Sequence, residues 1–196
     1  MTKLILASAS PRRAAILEQL GLEYLIKASN ILENFSKRPT DPALLVMKLA
    51  FAKAKFVSID EVNGLVIGAD TIVTVDGIIL EKPANADEAM EMLTILSGRE
   101  HSVFTGLAII EVATGSSKVV YEETRVFFHK LSPELIAAYV ATGEPLDKAG
   151  AYGIQGKGAA LVQKINGCYF NVVGLPIVKL INLLEEFGVS IWEKNN

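Results

Sequence analysis

Residues 65–80 read LVIGADTIVTVDGIIL. Val and Ile recur through residues 65–75, a composition typical of a β-strand. Asp76 and Gly77 form a two-residue turn signal, and the apolar residues 78–80 predict a strand that returns beside the first one. The segment therefore predicts a β-hairpin whose first strand is long enough to be a central strand of a sheet.

Asp70 lies within this strand, next to Gly68 and Ala69. A carboxylate at such a place in an α/β protein is typically a metal ligand or a base, although an Asp also caps turns through backbone N–H groups. A tight turn would place Asp70 opposite Pro83, with Lys82 beside it. Lys82 would then form either part of a site or an ordinary cross-strand ion pair.

Helices and strands alternate on both sides of the hairpin. Upstream, we predict a strand at 3–7, a helix from Ser10-Pro11 with Ser10 as N-cap, a strand within 23–28 and a helix from Pro42. Downstream, we predict a helix at 87–96, strands at 102–112 and 118–130, a helix from Ser132, a glycine-rich loop over 143–167, a short strand that ends at 172–173 and a helix at 175–187. The pattern indicates an α/β fold, a mixed sheet with flanking helices, in one domain over 1–196.

Composition narrows the chemistry. The 196 residues are 51% hydrophobic and 21% charged, so we expect a sizeable core. The net charge is −3, so the protein has no overall electrostatic field that would attract a nucleic acid polymer. One cysteine and two histidines argue against a zinc site and a Ser-His-Asp triad. No apolar stretch is long enough to cross a membrane, and we expect a cytoplasmic protein that is compatible with a homodimer.

Three further motifs are candidates for ligand binding. Residues 8–13, SASPRR, place Ser8, Arg12 and Arg13 at a helix N-terminus that suits phosphate; a Ser cap followed by solvent-facing arginines is the alternative. Residues 144–158, EPLDKAGAYGIQGKG, combine glycines with Gln155, which can donate to and accept from a base edge. A flexible surface loop would not explain its embedded Tyr, Ile and Leu.

Two isolated residues remain open. Glu33 is either a metal ligand or a solvated carboxylate in a polar loop. Lys53 either reaches a phosphate or lays its aliphatic stem along the helix that carries it. On that helix we expect Leu45, Leu49, Ala52 and Phe56 to share one apolar face.

In this order the motifs resemble those of the Maf family of nucleoside triphosphate pyrophosphatases. The resemblance covers nearly the whole chain and includes LASASPRR at 6–13, LAFAKA at 49–54, GADT at 68–71, LEKP at 80–83, LSGREH at 96–101 and KINGCYFNVVGLP at 164–176. It implies a fold similar to that of inosine-triphosphate pyrophosphatases, an elongated sheet with a cleft between two lobes.

The resemblance also implies roles for particular residues. Asp70 matches the general base, and Glu33 and Asp70 match positions that hold a divalent cation, Mg²⁺ or Mn²⁺. The matching phosphate-binding residues are Ser8, Arg12, Arg13, Lys53 and Lys82. Positions linked to substrate choice are filled by Arg12, Thr71 and Gln155, which resembles the dTTP/UTP branch of the family. Asn30 stands where an acidic residue is expected upstream of Glu33.

The expected reaction is hydrolysis of a nucleoside triphosphate, dTTP or UTP by preference, to a monophosphate and pyrophosphate. Water would attack the α-phosphorus, so no covalent nucleophile is needed. A nucleotide-binding regulator of cell division would need the pocket but not the base, and presence of Asp70, Lys82 and Glu33 together favours an enzyme. A Nudix hydrolase would need an Arg-Glu-x-x-Glu-Glu helix, which the sequence lacks.

Overall fold

A computed structural model of the chain describes residues 2–29, 31 and 39–192. The strands are β1 (Leu4–Leu6), β2 (Tyr24–Ile26), β3 (Leu65–Val75), β4 (Ile78–Leu80), β5 (Glu100–Glu111), β6 (Ser117–Phe128) and β7 (Val162–Asn166). The α-helices are α1 (Pro11–Gln19), α2 (Pro42–Ser58), α3 (Ala86–Leu96), α4 (Pro133–Val140), α5 (Tyr169–Val173) and α6 (Ile177–Glu186). The interleaved order confirms the predicted α/β class.

The sheet is mixed, as the sequence predicts. Seven strands pair in the order β2-β1-β3-β5-β6-β7, and β4 pairs with β3 off this path. β1 runs parallel to both β2 and β3, whereas β4 is antiparallel to β3 and β7 is antiparallel to β6. No helix in the described ranges is long and apolar enough to cross a membrane.

The hairpin of β3 and β4 has the predicted bounds and register. Val75 pairs with Ile78, and the ladder continues until Val73 pairs with Leu80. The prediction that Asp70 faces Pro83 across this ladder is wrong, because β4 ends at Leu80 and residues 81–83 are not in a strand. A three-residue return strand is too short to reach the level of Asp70.

Helices α1, α2 and α4 begin at the predicted prolines, whereas α3 begins one residue before and α6 two residues after the predicted start. The N-caps of α1 and α4 differ. Ser132 accepts a hydrogen bond from the Leu135 N–H, as an N-cap should. Ser10 occupies the N-cap position of α1, but its side chain makes no capping hydrogen bond. Its backbone N–H donates instead to Ser8 Oγ at 3.2 Å. Ser8 therefore organises the turn before α1.

The glycine-rich segment is more ordered than the sequence predicts. Three short 3₁₀ helices, Glu144–Asp147, Ala149–Ala151 and Gly156–Leu161, and the strand β7 occupy most of the predicted loop over 143–167. The prediction that Val172 and Val173 end a short strand is wrong, because these residues close the helix α5. Valine favours strands only where a pleated neighbour surface is available.

The chain divides into two compact units. The first comprises Met1–Asp70, Thr105–Glu122 and Gly174–Asn196, and the second comprises Thr71–Phe104 and Glu123–Val173. One core cluster of the first unit consists of Ile5, Ala7, Ala50, Ala54, Val57, Val66, Ala108 and Ile110. The core of the second unit includes larger side chains such as Leu93, Leu96, Phe128, Tyr139 and Tyr152.

Helix α2 buries a different face from the predicted one. Leu45 and Leu49 are buried as expected, but Phe56 is 45% exposed. The buried stripe continues through Ala50 and Ala54. Small side chains occupy this stripe because the helix lies very close to the sheet: a Cβ atom on Gly68 would lie 2.2 Å from the Ala50 carbonyl oxygen.

A histidine is buried within the second unit. His101 is 2% exposed, and its Nε2 atom lies 2.8 Å from the Tyr152 hydroxyl oxygen. Its ring packs edge-on against Phe128 and Tyr152, with centroid distances of 4.9 and 5.3 Å. Burial lowers the pKa of His101 to about 4, because the imidazolium form loses its hydration. The histidine is therefore neutral in the folded protein near pH 7.

We predict that this histidine makes folding stability fall in mild acid. Between pH 6.5, the ordinary pKa of histidine, and about pH 4, the unfolded chain binds a proton that the folded protein excludes. The free energy of unfolding should therefore decrease as the pH falls through this range, by roughly 3 kcal/mol in total, and should not depend on His101 above it. Urea unfolding at several pH values measures the effect.

The variant His101→Gln keeps a hydrogen-bonding side chain but does not titrate, so its stability should depend less steeply on pH. His129→Gln is the matched control, because His129 is exposed. Equal pH dependence of wild type and His101→Gln between pH 6.5 and 4 would contradict the prediction.

Candidate active site

Ser8 and Arg13 are joined within the first unit at the start of α1. Arg13 Nη1 donates to Ser8 Oγ at 3.0 Å, and Arg13 Nε donates to the Gly174 carbonyl oxygen at 2.7 Å. Arg13 is only 9% exposed, so the alternative of a solvent-facing arginine does not hold for this residue. Arg12, its neighbour, is half-buried.

The charge of Arg13 is balanced by a nearby carboxylate. Burial lowers the pKa of the Arg13 guanidinium below its usual range, and the negative charge of Asp70 opposes this effect. A buried cation is tolerated when hydrogen bonds and an opposite charge replace its hydration. Arg13, Ser8 and Asp70 therefore belong to one polar region of the first unit.

Lys53 and Asp70 form a close charged contact in this region. Lys53 Nζ lies 2.5 Å from Asp70 Oδ1, and the two side chains are 16% and 12% exposed. At this degree of burial their attraction is stronger than that of a surface ion pair. The sequence left open whether Lys53 reaches a phosphate or lies along its own helix. In the structure its ammonium group extends from α2 to the Asp70 carboxylate on β3, and contact with a phosphate stays a prediction.

Two glycines of the sheet explain how α2 brings Lys53 so near. A Cβ atom on Gly68 of β3 would lie 2.2 Å from the Ala50 carbonyl oxygen and 2.8 Å from the Ala54 nitrogen. A Cβ on Gly106 of β5 would lie 2.1 Å from the Val46 carbonyl oxygen. Both contacts are with the backbone of α2, which cannot move aside as a side chain can.

The position of Gly68 also indicates the direction in which Asp70 points. Side chains two residues apart in a strand project from the same face, so Asp70 and the missing side chain of Gly68 face the same way. Gly68 is pressed against α2, and Asp70 therefore projects toward the same helix, where Lys53 follows Ala50 by about one turn. In the sequence, the glycine two residues before Asp70 is the feature that indicates a close approach on this side of the strand.

The remaining described candidates lie in the second unit or begin it. Thr71 follows Asp70 in β3 and is half-buried. Lys82 is exposed two residues after β4, and Gln155 is exposed immediately before the 3₁₀ helix Gly156–Leu161. Their proposed contacts with substrate stay predictions.

The metal prediction falls partly outside the described residues, because Glu33 and Asn30 are not among them. Within residues 2–29, 31 and 39–192, no three His, Cys, Asp or Glu side chains are grouped so that they could hold a metal ion. Asp70 is the described carboxylate of the predicted pair. It supplies the oxygen donor chemistry that a hard cation prefers.

Two residues that the sequence analysis did not single out support the segment that carries Gln155. The Tyr139 hydroxyl donates to Glu144 Oε1 at 3.0 Å, and Glu144 also accepts backbone hydrogen bonds from Lys157 and Gly158. Glu144 was visible at the beginning of the glycine-rich motif. Its partner Tyr139, on the preceding helix α4, could not be identified from the sequence. The contact between the two side chains depends on the tertiary structure of the segment.

Comparison with known proteins supplies the context of this site. A family model described as Maf-like protein matches residues 3–187. The chain is 52% identical over 192 residues to the dTTP/UTP pyrophosphatase of Moorella thermoacetica, with 98% of each chain covered. It is 49% identical over 191 residues to the dTTP/UTP pyrophosphatase of Desulforamulus reducens, which covers 97% of this chain and 100% of that protein.

A solved structure supports the fold. The structure of a HAM1 protein from Coxiella burnetii matches 95% of this chain and 100% of its own, with a TM-score of 0.54 and 16% sequence identity. At this identity the likeness concerns the fold alone.

We predict that Gly68→Ala destabilises the protein and separates Lys53 from Asp70. The added methyl group overlaps the α2 backbone, so the helix must shift, at a cost of about 1–3 kcal/mol. A double-mutant cycle with Lys53→Met tests the separation. Lys53→Met should cost less stability in the Gly68→Ala background than in wild type, because the ion pair is already weakened.

Gly106→Ala is the matched control. It overlaps α2 at Val46, about two turns before Lys53, so a comparable loss of stability should add to that of Lys53→Met. Additive losses for Gly68→Ala and Lys53→Met would contradict the proposed link between the glycine and the ion pair. Urea unfolding of the single and double variants provides all the free energies required.

Proposed function

The chain belongs to the Maf-like protein family, and we propose that it hydrolyses nucleoside triphosphates, dTTP and UTP by preference, to nucleoside monophosphate and pyrophosphate. The observation that carries the proposal is a buried aspartate, Asp70, in contact with Lys53 at 2.5 Å. The names of the Moorella and Desulforamulus relatives, about half of whose residues are identical here, support the substrate class.

In the proposed reaction Asp70 accepts the proton of the attacking water. The adjacent ammonium group of Lys53 lies at hydrogen-bond distance from this carboxylate and holds it in place. Water then adds to the α-phosphorus as its proton moves to an Asp70 oxygen, the bond to the β-phosphate oxygen breaks, and pyrophosphate leaves. General base catalysis of this kind contributes about 10²–10⁴-fold to a rate.

The cationic side chains have a separate task. A triphosphate repels an approaching nucleophile, and the leaving pyrophosphate carries additional negative charge. We assign binding of the phosphate oxygens to four cationic side chains, Lys53, Arg13, Arg12 and Lys82. Ser8 is proposed to hold Arg13 in place. Arginine suits this purpose because its planar group can bind two oxygens at once.

A divalent cation fits the donor set of the proposed site. Mg²⁺ in nucleotide enzymes is held by one or two carboxylates together with substrate phosphates, so Asp70 with Glu33 would suffice without a larger cluster. When bound, Mg²⁺ or Mn²⁺ would neutralise phosphate charge and lower the pKa of the attacking water. The metal dependence of the reaction is part of the proposal.

We assign discrimination between nucleobases to Gln155, together with Thr71 and Arg12. An amide can donate and accept at once, which matches the O4 and N3–H edge of uracil or thymine. A site built to bond one edge rejects other bases, because its polar groups are then left without partners. Gln155 is exposed within the glycine-containing segment, a suitable place for contact with a ligand.

We predict that Asp70→Asn lowers kcat by at least about 10²-fold while the protein still folds. Asparagine has nearly the same shape but cannot take the proton from water at neutral pH. Pyrophosphate release under substrate saturation measures the effect. Asp76→Asn is the control, because Asp76 is an exposed aspartate at the turn of the same hairpin.

Near-normal turnover by Asp70→Asn would remove Asp70 from the role of base. If instead the wild-type protein binds dTTP tightly without turnover, the protein acts as a nucleotide-binding regulator and the enzymatic proposal is wrong.

The substrate prediction is tested by a nucleotide panel. We expect kcat/KM to be highest for dTTP and UTP, lower for CTP and GTP, and lowest for 7-methyl-GTP, because the edge presented by Gln155 suits uracil and thymine. The panel is measured as pyrophosphate release with Mg²⁺, with Mn²⁺ and in excess chelator. Activity should disappear in chelator and return with either cation.

The two parts of this test fail separately. Preference for a purine triphosphate would reject the assigned base choice and leave the pyrophosphatase reaction in place. Full activity in excess chelator would reject the metal requirement.

A further inference from the structure

The segment of residues 153–158, which carries Gln155, is tied at both ends to one pair of side chains. At its beginning, the Gly153 N–H donates to the Tyr139 hydroxyl oxygen at 3.2 Å. The same hydroxyl donates to Glu144 Oε1 at 3.0 Å. Tyr139 is 4% exposed and belongs to the core of the second unit, so this end of the segment is fixed to the body of the protein.

At the other end, the Glu144 carboxylate accepts two backbone hydrogen bonds. The Lys157 N–H donates to Oε2 and the Gly158 N–H donates to Oε1, each at 3.0 Å. Although partial burial opposes ionisation, these hydrogen bonds hold the pKa of Glu144 below its usual range. Hydrogen bonds from backbone N–H groups to an ionised carboxylate are stronger than neutral ones, so Glu144 holds this end of the loop firmly in place.

The two ends of the segment approach each other too closely for a side chain at Gly158. A Cβ on Gly158 would lie 2.3 Å from the Gly153 carbonyl oxygen and 2.5 Å from the Tyr139 hydroxyl oxygen. Gly156 has φ = +67°, and its Cβ would lie 2.9 Å from Glu144 Oε2. The two ends of the segment are therefore in contact, and Gln155 lies between them on a closed, short loop.

We infer that Glu144, acting with Tyr139, is a positioning residue for base selection: it fixes the closed loop 153–158 and thereby the place of Gln155. The inference rests on the proposed function, in which Gln155 contacts the base. Glu144 itself hydrogen-bonds protein groups in this loop. It acts on selection through the backbone, in the way that supporting groups hold a binding side chain in its productive geometry.

The variants Glu144→Gln and Tyr139→Phe test the inference. In Glu144→Gln the amide has the size of the carboxylate but only one acceptor oxygen for the three groups that donate to Glu144. Tyr139→Phe removes the hydroxyl that joins Glu144 to Gly153. We expect the ratio of kcat/KM for dTTP to that for GTP to fall about 10-fold in each variant. The loss should come mainly from a higher KM for dTTP, with kcat changed less than about threefold.

Glu88→Gln is the matched control. Glu88 also accepts a backbone hydrogen bond, from the Ala84 N–H at 2.7 Å, and belongs to the same unit, but it is not part of the loop. It should leave the dTTP to GTP ratio unchanged. A second readout is the hydrogen exchange of the Lys157 and Gly158 amides, which should accelerate in Glu144→Gln and not in Glu88→Gln.

A double variant separates positioning from general damage. In Gln155→Ala the selecting side chain is gone, so adding Glu144→Gln should lower the dTTP to GTP ratio little further. Full additivity of the two changes would overturn the inference, as would an unchanged ratio in Glu144→Gln. If Glu144→Gln does not fold, Tyr139→Phe decides by the same criteria.

Failure of the proposed function would look different. A wild-type protein that releases no pyrophosphate from any nucleotide overturns the proposed reaction. A wild-type protein that prefers dTTP, with the same preference kept in Glu144→Gln and Tyr139→Phe, overturns only the assignment of Glu144.

Discussion

The close approach of helix α2 to strand β3 is the constraint on which the candidate site depends. It is possible because Gly68 has no side chain where the strand meets the helix backbone at Ala50. The approach directs Asp70 toward α2 and brings Lys53 within 2.5 Å of its carboxylate. A methyl group at Gly68 would therefore disturb packing and chemistry together, although it adds no charge and removes none.

The local parts of this arrangement could be predicted from the sequence. The Val- and Ile-rich run and the Asp76-Gly77 turn determine β3, β4 and their register, since strand propensity and turn type are properties of neighbouring residues. The buried face of α2 was predicted only in part. Hydrophobicity predicted that Phe56 is buried, but a helix this close to a sheet buries alanine instead. The distance between α2 and the sheet depends on Gly68 of β3 and Gly106 of β5, which are far from the helix in sequence.

The parts that could not be predicted depend on contacts between distant residues. The glycine-rich segment resembles a loop in composition, yet Glu144 and Tyr139 bind its backbone and give it a defined shape. Val172 and Val173 have high strand propensity but belong to α5, and Asn171 of that helix donates to the Val103 carbonyl oxygen. In each case tertiary hydrogen bonds outweigh a local preference of at most about 1 kcal/mol.

Energetics explain why the polar region of the first unit points to chemistry rather than to stability. Removing two charges from water costs several kcal/mol per ion, and their attraction seldom returns more than this cost. Apolar side chains of similar volume at Lys53 and Asp70 would therefore serve the fold at least as well. The chain instead keeps this pair and the buried Arg13 beside a core of small apolar residues. Phosphate binding and proton transfer from water, the roles proposed for these residues, need charges, whereas packing does not.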